Sequence, residues 1–565
     1  MSIFSEIRLK NPQSTLFDLS HQNKQTTDID GRLTPIMFTK TLPGDKMKYR
    51  AEYFMRLTPM LAPVMQQIDS YVHSFFVPDR LLWNEFELFI TKGKDGQQTP
   101  VVPHFFVTKN DIENYPSLFA PSTLWDYLGF VPLIDSVDDV KFNRDRFKNI
   151  SSDFRIKIPI APFLAYYKVW QNYFADRNLE DMIDDDFKLD SGEYGLNSVL
   201  AQTLDGKDFK LEDLLQLRHR CWEKDYFTSA LPFPQRGEDV QLPLGGTAPV
   251  DFSNVQFGDF KLKSTQAFPN GSLYLDNTVV STERTLATPN PSNNVNFDGS
   301  ELSLSLEGDA DLSRATSISV NELRRLTATQ RYFELNARIG FRYIDHLLGR
   351  WGVKSSNRAL QLPEWLGGGK SAVMVGEVLQ TSESTDSSNL GDMAGRAIGS
   401  GNDNGFKTFF EEHGYVMCLF SCRPRSSYSQ GISRLYQQWE AEDLAIPEFA
   451  HLGEQEVKNS ELFVNTIDPS YNDGTFGYQS RYAEYKTIPS SIHGDLRTSL
   501  SYWHLGRMFK NAPALNEDFV KLKHDETDRI FAVEDAGDHV DHVILHVNNN
   551  LKCIRKLPKF GTPRL

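Results

Sequence analysis

"GYVMCLFSCRP" occupies positions 414–424. It is a short, almost continuous apolar run that ends at a proline, and it reads as a buried β-strand. Two more runs share this character. "YVHSFFVP" (71–78) is aromatic and β-branched and also ends at a proline, and "HVILHV" (542–547) looks alike. The three lie far apart, with long irregular connections between them. That spacing predicts a sheet built from non-local strands with large excursions.

Two segments read as helices. "FLAYYKVWQNYFADRNL" (163–179) sets Phe163, Tyr166, Tyr167, Trp170, Tyr173 and Phe174 at helical spacing, with Pro159 and Pro162 before it. The second begins with a capping-box pattern, Ser319 and Glu322, followed by Leu323, Leu326, Phe333 and Ala337. Residues 245–318 are rich in Ser, Thr, Asn and Gly and read as an inserted subdomain of short strands and loops. Residues 381–405 read as a mobile polar loop. No repeat with a period of 20–50 residues is present, which argues against solenoids and propellers.

The 565 residues carry a net charge of −15, 12% aromatics, 36 Gly and 28 Pro, with a mean hydropathy of −0.43. The aromatics supply a large core, and the glycines and prolines imply much loop. An acidic chain is a poor bulk neutraliser of nucleic acid. The four cysteines are too few for a disulfide framework and read as reduced thiols. "MSIFSEIRLKNPQ" does not read as a signal peptide, and no stretch approaches the roughly 20 apolar residues of a membrane span.

Enzyme signatures fail. "WLGGGKS" (365–371) lacks the first glycine of a phosphate loop, since Glu364 stands there, and reads as a glycine-rich turn. Cys418 and Cys422 read as buried thiols. His542 and His546 would share a strand face with His539 opposite, a poor set of metal ligands. No catalytic, metal or cofactor site is expected. The arginines 324, 325, 331, 338 and 342 read as a solvated helix face. One basic feature stands out in "LKCIRKLPKFGTPRL" (551–565), where Lys552, Arg555, Lys556, Lys559 and Arg564 have no acidic neighbour. It reads as a phosphate-facing tail or as an arm that docks on a neighbouring acidic surface, and both readings stay open.

"KDYFTSALPFPQRG" (224–237) is too apolar for a solvated loop. Its prolines remove backbone donors and hold Leu231 and Phe233 extended. Tyr226, Phe227, Pro232, Phe233 and Pro234 are therefore candidate anchoring or subunit-contact residues.

Residues 17–89 contain the words "FDLSH", "GRLTP", "LPGD", "RLTPMLAP" and "FFVPDRLLW". "KVWQNYFADRNL", "DYFTSALPFPQRG", "LPEWLGGG", "EHGYVMCLFSCRP", "HLGEQEV", "FGYQSRYAEYK" and "LPKFGTPRL" follow in order. Together they resemble the major capsid proteins of microviruses, small phages with single-stranded DNA, most closely the gokushovirus-like branch. The resemblance implies an all-β fold, an eight-stranded antiparallel jelly roll of the viral capsid type with long inter-strand insertions containing some helices. It places 1–244 and 319–565 in the capsid domain and makes 245–318 a variable surface insertion, a candidate three-fold protrusion used in host attachment.

The same resemblance implies a sixty-copy (T=1) icosahedral shell around circular single-stranded DNA, found in the virion and assembled in the bacterial cytoplasm. The implied partners are further copies of the chain, the genome, a small basic DNA-binding protein, a minor pilot-type protein and a host receptor. Sixty copies sum to about −900 formal charges, so the acidic balance independently calls for another neutraliser of DNA. The rival readings are a secreted carbohydrate-active β-sandwich, which would need a signal peptide, and a cytosolic enzyme, which would need a pocket with perturbed carboxylates or histidines.

Overall fold

The computed structural model describes residues 14–95, 97–134, 150–237, 274–275, 286–287, 320–339, 348–349, 361–379, 393–533 and 540–560. The chain divides into two units, 1–236 with 334–565, and 237–333. In the second unit the described residues include a two-stranded pairing of Tyr274–Leu275 with Leu286–Ala287. The rest of 245–318, and Ser319, lie outside the described residues.

Ten strands build the first unit's two largest sheets: β1 (Thr15–Asp18), β2 (His21–Thr27), β3 (Thr34–Thr41), β4 (Lys46–Leu57), β5 (Ile68–Pro78), β6 (Glu364–Ala372), β7 (Met374–Leu379), β8 (Met393–Phe409), β9 (Gly414–Pro424) and β10 (Val543–Arg555). One sheet runs β2-β10-β4-β8-β7, with β1 also on β10, and the other runs β6-β5-β9-β3. All of these pairings are antiparallel.

β9 explains its own composition. All eleven residues are buried, because its sheet is covered on both faces. Val416, Cys418, Phe420 and Cys422 point into the core shared with the first sheet. Tyr415, Met417 and Leu419 point into a second core built around helix α1 (Ala161–Tyr173). β4 behaves differently. Its strict alternation, "KMKYRAEYFMRL", buries every second residue and leaves the others on a solvent face.

Helix α1 buries ten of its thirteen residues, so it is an interior helix rather than one with a single apolar face. It stops at Tyr173, short of the expected 179. The following Asp176 accepts a hydrogen bond from the Asn178 amide (3.1 Å), and such local side-chain bonding favours a turn. Lys168 stays buried by donating to the Asp185 carbonyl (2.8 Å), and burial pulls its ammonium down to about 8. Helix α2 (Val320–Ile339) falls within the second expected helix, 319–348, of which Ser319 and 340–347 lie outside the described residues.

Two expected loops are strands. Residues 393–405 belong to β8, and only 381–392 of that stretch fall outside the described residues. "WLGGGKS" lies within β6, not in a turn. A Cβ on Gly368 would stand 2.6 Å from the Val72 carbonyl oxygen, so the glycine there permits close strand approach rather than chain reversal.

His73 of β5 is enclosed by Tyr71 and Phe174. Burial, followed by the charges of Arg220 and Arg423, pulls its imidazole down to about 4. The unfolded chain therefore binds this proton more readily. Stability is expected to fall as pH drops from about 6.5 towards 4, by up to about 3 kcal/mol. Thermal melting of wild type and His73→Phe across that window checks it. An equal acid loss in the variant refutes the assignment.

Candidate nucleic-acid interface and assembly cleft

The solvent face of the first sheet reverses the charge of the whole chain. Register places Lys46, Lys48, Arg50 and Arg56 of β4 on one side with Lys552 of β10, Lys24 of β2, and Arg396 and Lys407 of β8. All eight side chains are exposed. Among the described side chains of this face the carboxylates are Asp18 and Glu52, and Glu52 sits 3.7 Å from Arg50. Lys407, Lys48 and Lys552 stand directly opposite one another across three strands. Like charges in such a row repel, so the arrangement favours a bound polyanion. Phe54 is also exposed on this face, with the Arg56 guanidinium 5.3 Å from its ring centroid. Phe409 is exposed beside Lys46. A basic surface interleaved with aromatic rings suits unpaired nucleic acid.

The sequence reading missed this face, although its signal is the alternate basic residues of "KMKYRAEYFMRL". The segment chosen instead is divided by the fold. Lys552 joins the basic face. Arg555 turns to Asp45 (2.9 Å) and the Lys40 carbonyl (2.6 Å). The Lys556 side chain lies over Gly44, and Lys559 sits 5.7 Å from the Phe560 ring centroid. Arg564 lies outside the described residues.

The 224–237 segment is built around Asp225. Its Oδ1 accepts the Phe227 and Thr228 amides (3.0 and 2.8 Å), and its Oδ2 accepts the Ser426 and Tyr428 hydroxyls (2.5 and 2.7 Å). Tyr226 and Phe227 are buried with Tyr428, Phe476 and Phe519. Leu231 exchanges both backbone bonds with Tyr478 (2.8 Å each). The prolines after it leave that pairing, and Pro232 and Pro234 are exposed. Phe233 is half-buried under the Arg236 guanidinium.

Tyr226 and Phe227 form one wall of a cleft of about 570 Å³, lined also by Tyr428, Glu461, Glu484 and Ile488. The Tyr226 hydroxyl donates to Glu461 (2.8 Å). Burial, then the Glu461 charge, pushes the phenol far above its usual range, and burial raises Glu461 too. Glu484 is 6% exposed. Its Oε2 accepts from Gln455 (3.1 Å), while Oε1 has no donor among the described residues. Tyr436 and Ile488 at the mouth are 78% and 86% exposed.

The histidines regroup. His542 precedes β10 and is fully buried, whereas His546 lies on the partly exposed side of the strand. His542 bonds Asp528 (2.8 Å) and Thr58 (3.0 Å) and stacks on Phe531. It lies beside His524, which bonds Asp28 (2.6 Å). Asp28, His524 and His542 bring their ligand atoms within 4.8 Å of one another. The two rings are 9° from parallel, and both nitrogens of His542 already have partners in Asp528 and Thr58. His539 lies outside the described residues. The four cysteines are free and buried.

Comparison with known proteins identifies the family. Residues 5–565 match the family described as "Capsid protein (F protein)". The chain is 30% identical to capsid protein VP1 of Chlamydia phage 1 over 624 residues, covering 100% of this chain and 97% of that protein. It is 30% identical to VP1 of Bdellovibrio phage phiMH2K, covering 92% and 90%, and 28% identical to VP1 of Spiroplasma virus 4, covering 95% and 92%. These are structural proteins rather than enzymes, and the motif resemblance drawn from the sequence holds. With matches along nearly its full length, an antiparallel two-sheet fold and outward faces suited to partners, the chain belongs to the capsid protein (F protein) family of microviruses.

Proposed function

We propose that sixty copies of this chain close into an icosahedral shell around circular single-stranded DNA, with the β2-β10-β4-β8 face turned to the genome. The basic face carries this reading, since a protein of net charge −15 concentrates eight exposed cations on one sheet. The orders β2-β10-β4-β8 and β3-β9-β5-β6 support an eight-stranded jelly roll, in which consecutive strands are shared between two packed sheets. Eight cations per copy fall short of a genome's charge, and a small basic protein supplies the remainder. The insertion at 245–318 serves host attachment. The virion is the site of action, after assembly in the host cytoplasm.

Co-expression of the virion proteins should yield particles holding about 3.9 MDa of this chain, sixty times 64.5 kDa, visible by electron microscopy and light scattering. Deletion of 250–315 should spare the particles and reduce attachment to host cells. A monodisperse monomer under every condition would refute the shell. Loss of particles on deletion would make the insertion structural.

A further inference from the structure

The cleft and the start of the 557–565 segment, described as far as Phe560, lie at opposite ends of one sheet. Arg555 and Lys556 pack on the Leu42–Asp45 turn, next to the pairing of Thr41 with Gly414. The cleft opens beyond the other end of β9, where Pro424 pairs with Ile68 and Tyr428 bonds Ser490. An eleven-residue strand separates them, about 33–36 Å. Residues 557–565 reach about 30 Å only when fully extended, and the chain already bends at 556–557 and 559–560. The segment cannot fill the cleft of its own subunit.

The two surfaces are nevertheless complementary. The cleft offers aromatic walls, the carboxylates of Glu461 and Glu484, and one buried carboxylate oxygen without a donor among the described residues. A buried acceptor left unsatisfied is costly and calls for a partner. The segment "LPKFGTPRL" offers exposed Leu557 and Phe560 (76%), the cations Lys559 and Arg564, and no acid.

We propose that the cleft receives residues 557–565 of a second copy, with Phe560 against Tyr226, Phe227 and Ile488 and a basic side chain of the segment on Glu484. The inference rests on the assembly reading above. The contact is head-to-tail, because segment and cleft sit at opposite ends of each copy. Repeated contacts of this kind close into rings when the rotation permits. The basic segment would then serve two partners, with Lys552 on the polyanion face and 557–565 on a neighbour.

The test uses assembled particles of a Phe560→Cys, Ile488→Cys chain. All four native cysteines are buried, so background cross-linking is low. After oxidation, denaturing gels without reductant should show a ladder of multiples of 64.5 kDa that collapses on reduction. Particles co-assembled from the two single variants should give dimers. Phe560→Ala should lower particle yield at least tenfold while leaving the circular dichroism of the subunit unchanged, and Phe560→Tyr should restore it. Particles that form normally while both preparations stay monomeric on the gel would overturn the inference and leave the shell standing. Absence of wild-type particles would overturn the assembly reading itself.

Discussion

Particles of a Lys48→Glu, Arg50→Glu, Lys407→Glu variant are expected to assemble and to be empty of DNA. All three side chains point to solvent from strands whose other faces hold the core, and surface changes of this kind usually move stability by less than about 0.5 kcal/mol. Their effect falls on the polyanion. Lys48 and Lys407 belong to the row that ends in Lys552, and reversing three of eight cations leaves the face close to neutral. Each lost phosphate contact lowers the salt dependence of single-strand binding by a slope of about 0.7. DNA per particle, read from the absorbance ratio and gradient density, should fall at least tenfold. Wild-type loading in the variant would exclude this face as the genome contact.

The second large effect concerns Arg32, only 6% exposed. Its guanidinium reaches Asp30 (2.9 Å), Asp541 (2.7 Å) and Asp28 (3.7 Å). It joins the β2–β3 connection to the residue pair just before β10. Burial alone would raise Asp30, but the charges of Arg32 and His219 outweigh it and hold that carboxyl below its usual value. Arg32→Met leaves buried carboxylates without their cation, a change that typically costs about 3–5 kcal/mol. Melting of the soluble subunit at pH 7 should drop accordingly. The deficit should shrink on acidification, because protonation removes the uncompensated charge, whereas in wild type the Asp30 contribution is lost as pH falls through its lowered value. Adding Asp541→Asn to the variant should recover part of the loss. A wild-type melting temperature for Arg32→Met would refute the role.

Strand identity was legible where both faces of a strand are covered, because an unbroken apolar run such as 414–424 has few other uses. Helix α2 was legible from its spacing. α1 was found but misread in kind, since aromatic residues at helical spacing look amphipathic until a second core covers the far side. β8 was invisible. "MAGRAIGSGNDNGFKTF" is glycine-rich and polar, and its strand character comes from pairing with β4 rather than from propensity. The basic face escaped for a related reason. Its cations come from four strands that only register brings together, and within any one of them they look like ordinary solvated charge. The cleft joins residues from 226 to 497, a distance in sequence that no local pattern records. Motif resemblance named the family because whole words survive where periodicity says little.

β10 also sets a clock on the molecule. It lies between β2 and β4, yet 485 residues separate the end of β4 from its first residue. At ribosomal speeds of about 5–20 residues per second, that gap is roughly 25–100 s of synthesis. Until it has passed, the inner edges of β2 and β4 lack their shared neighbour, and the lysine row has no third member. A nascent chain therefore cannot present the finished basic face. Folding of this sheet is largely post-translational, because its central strand is made long after the two strands it joins.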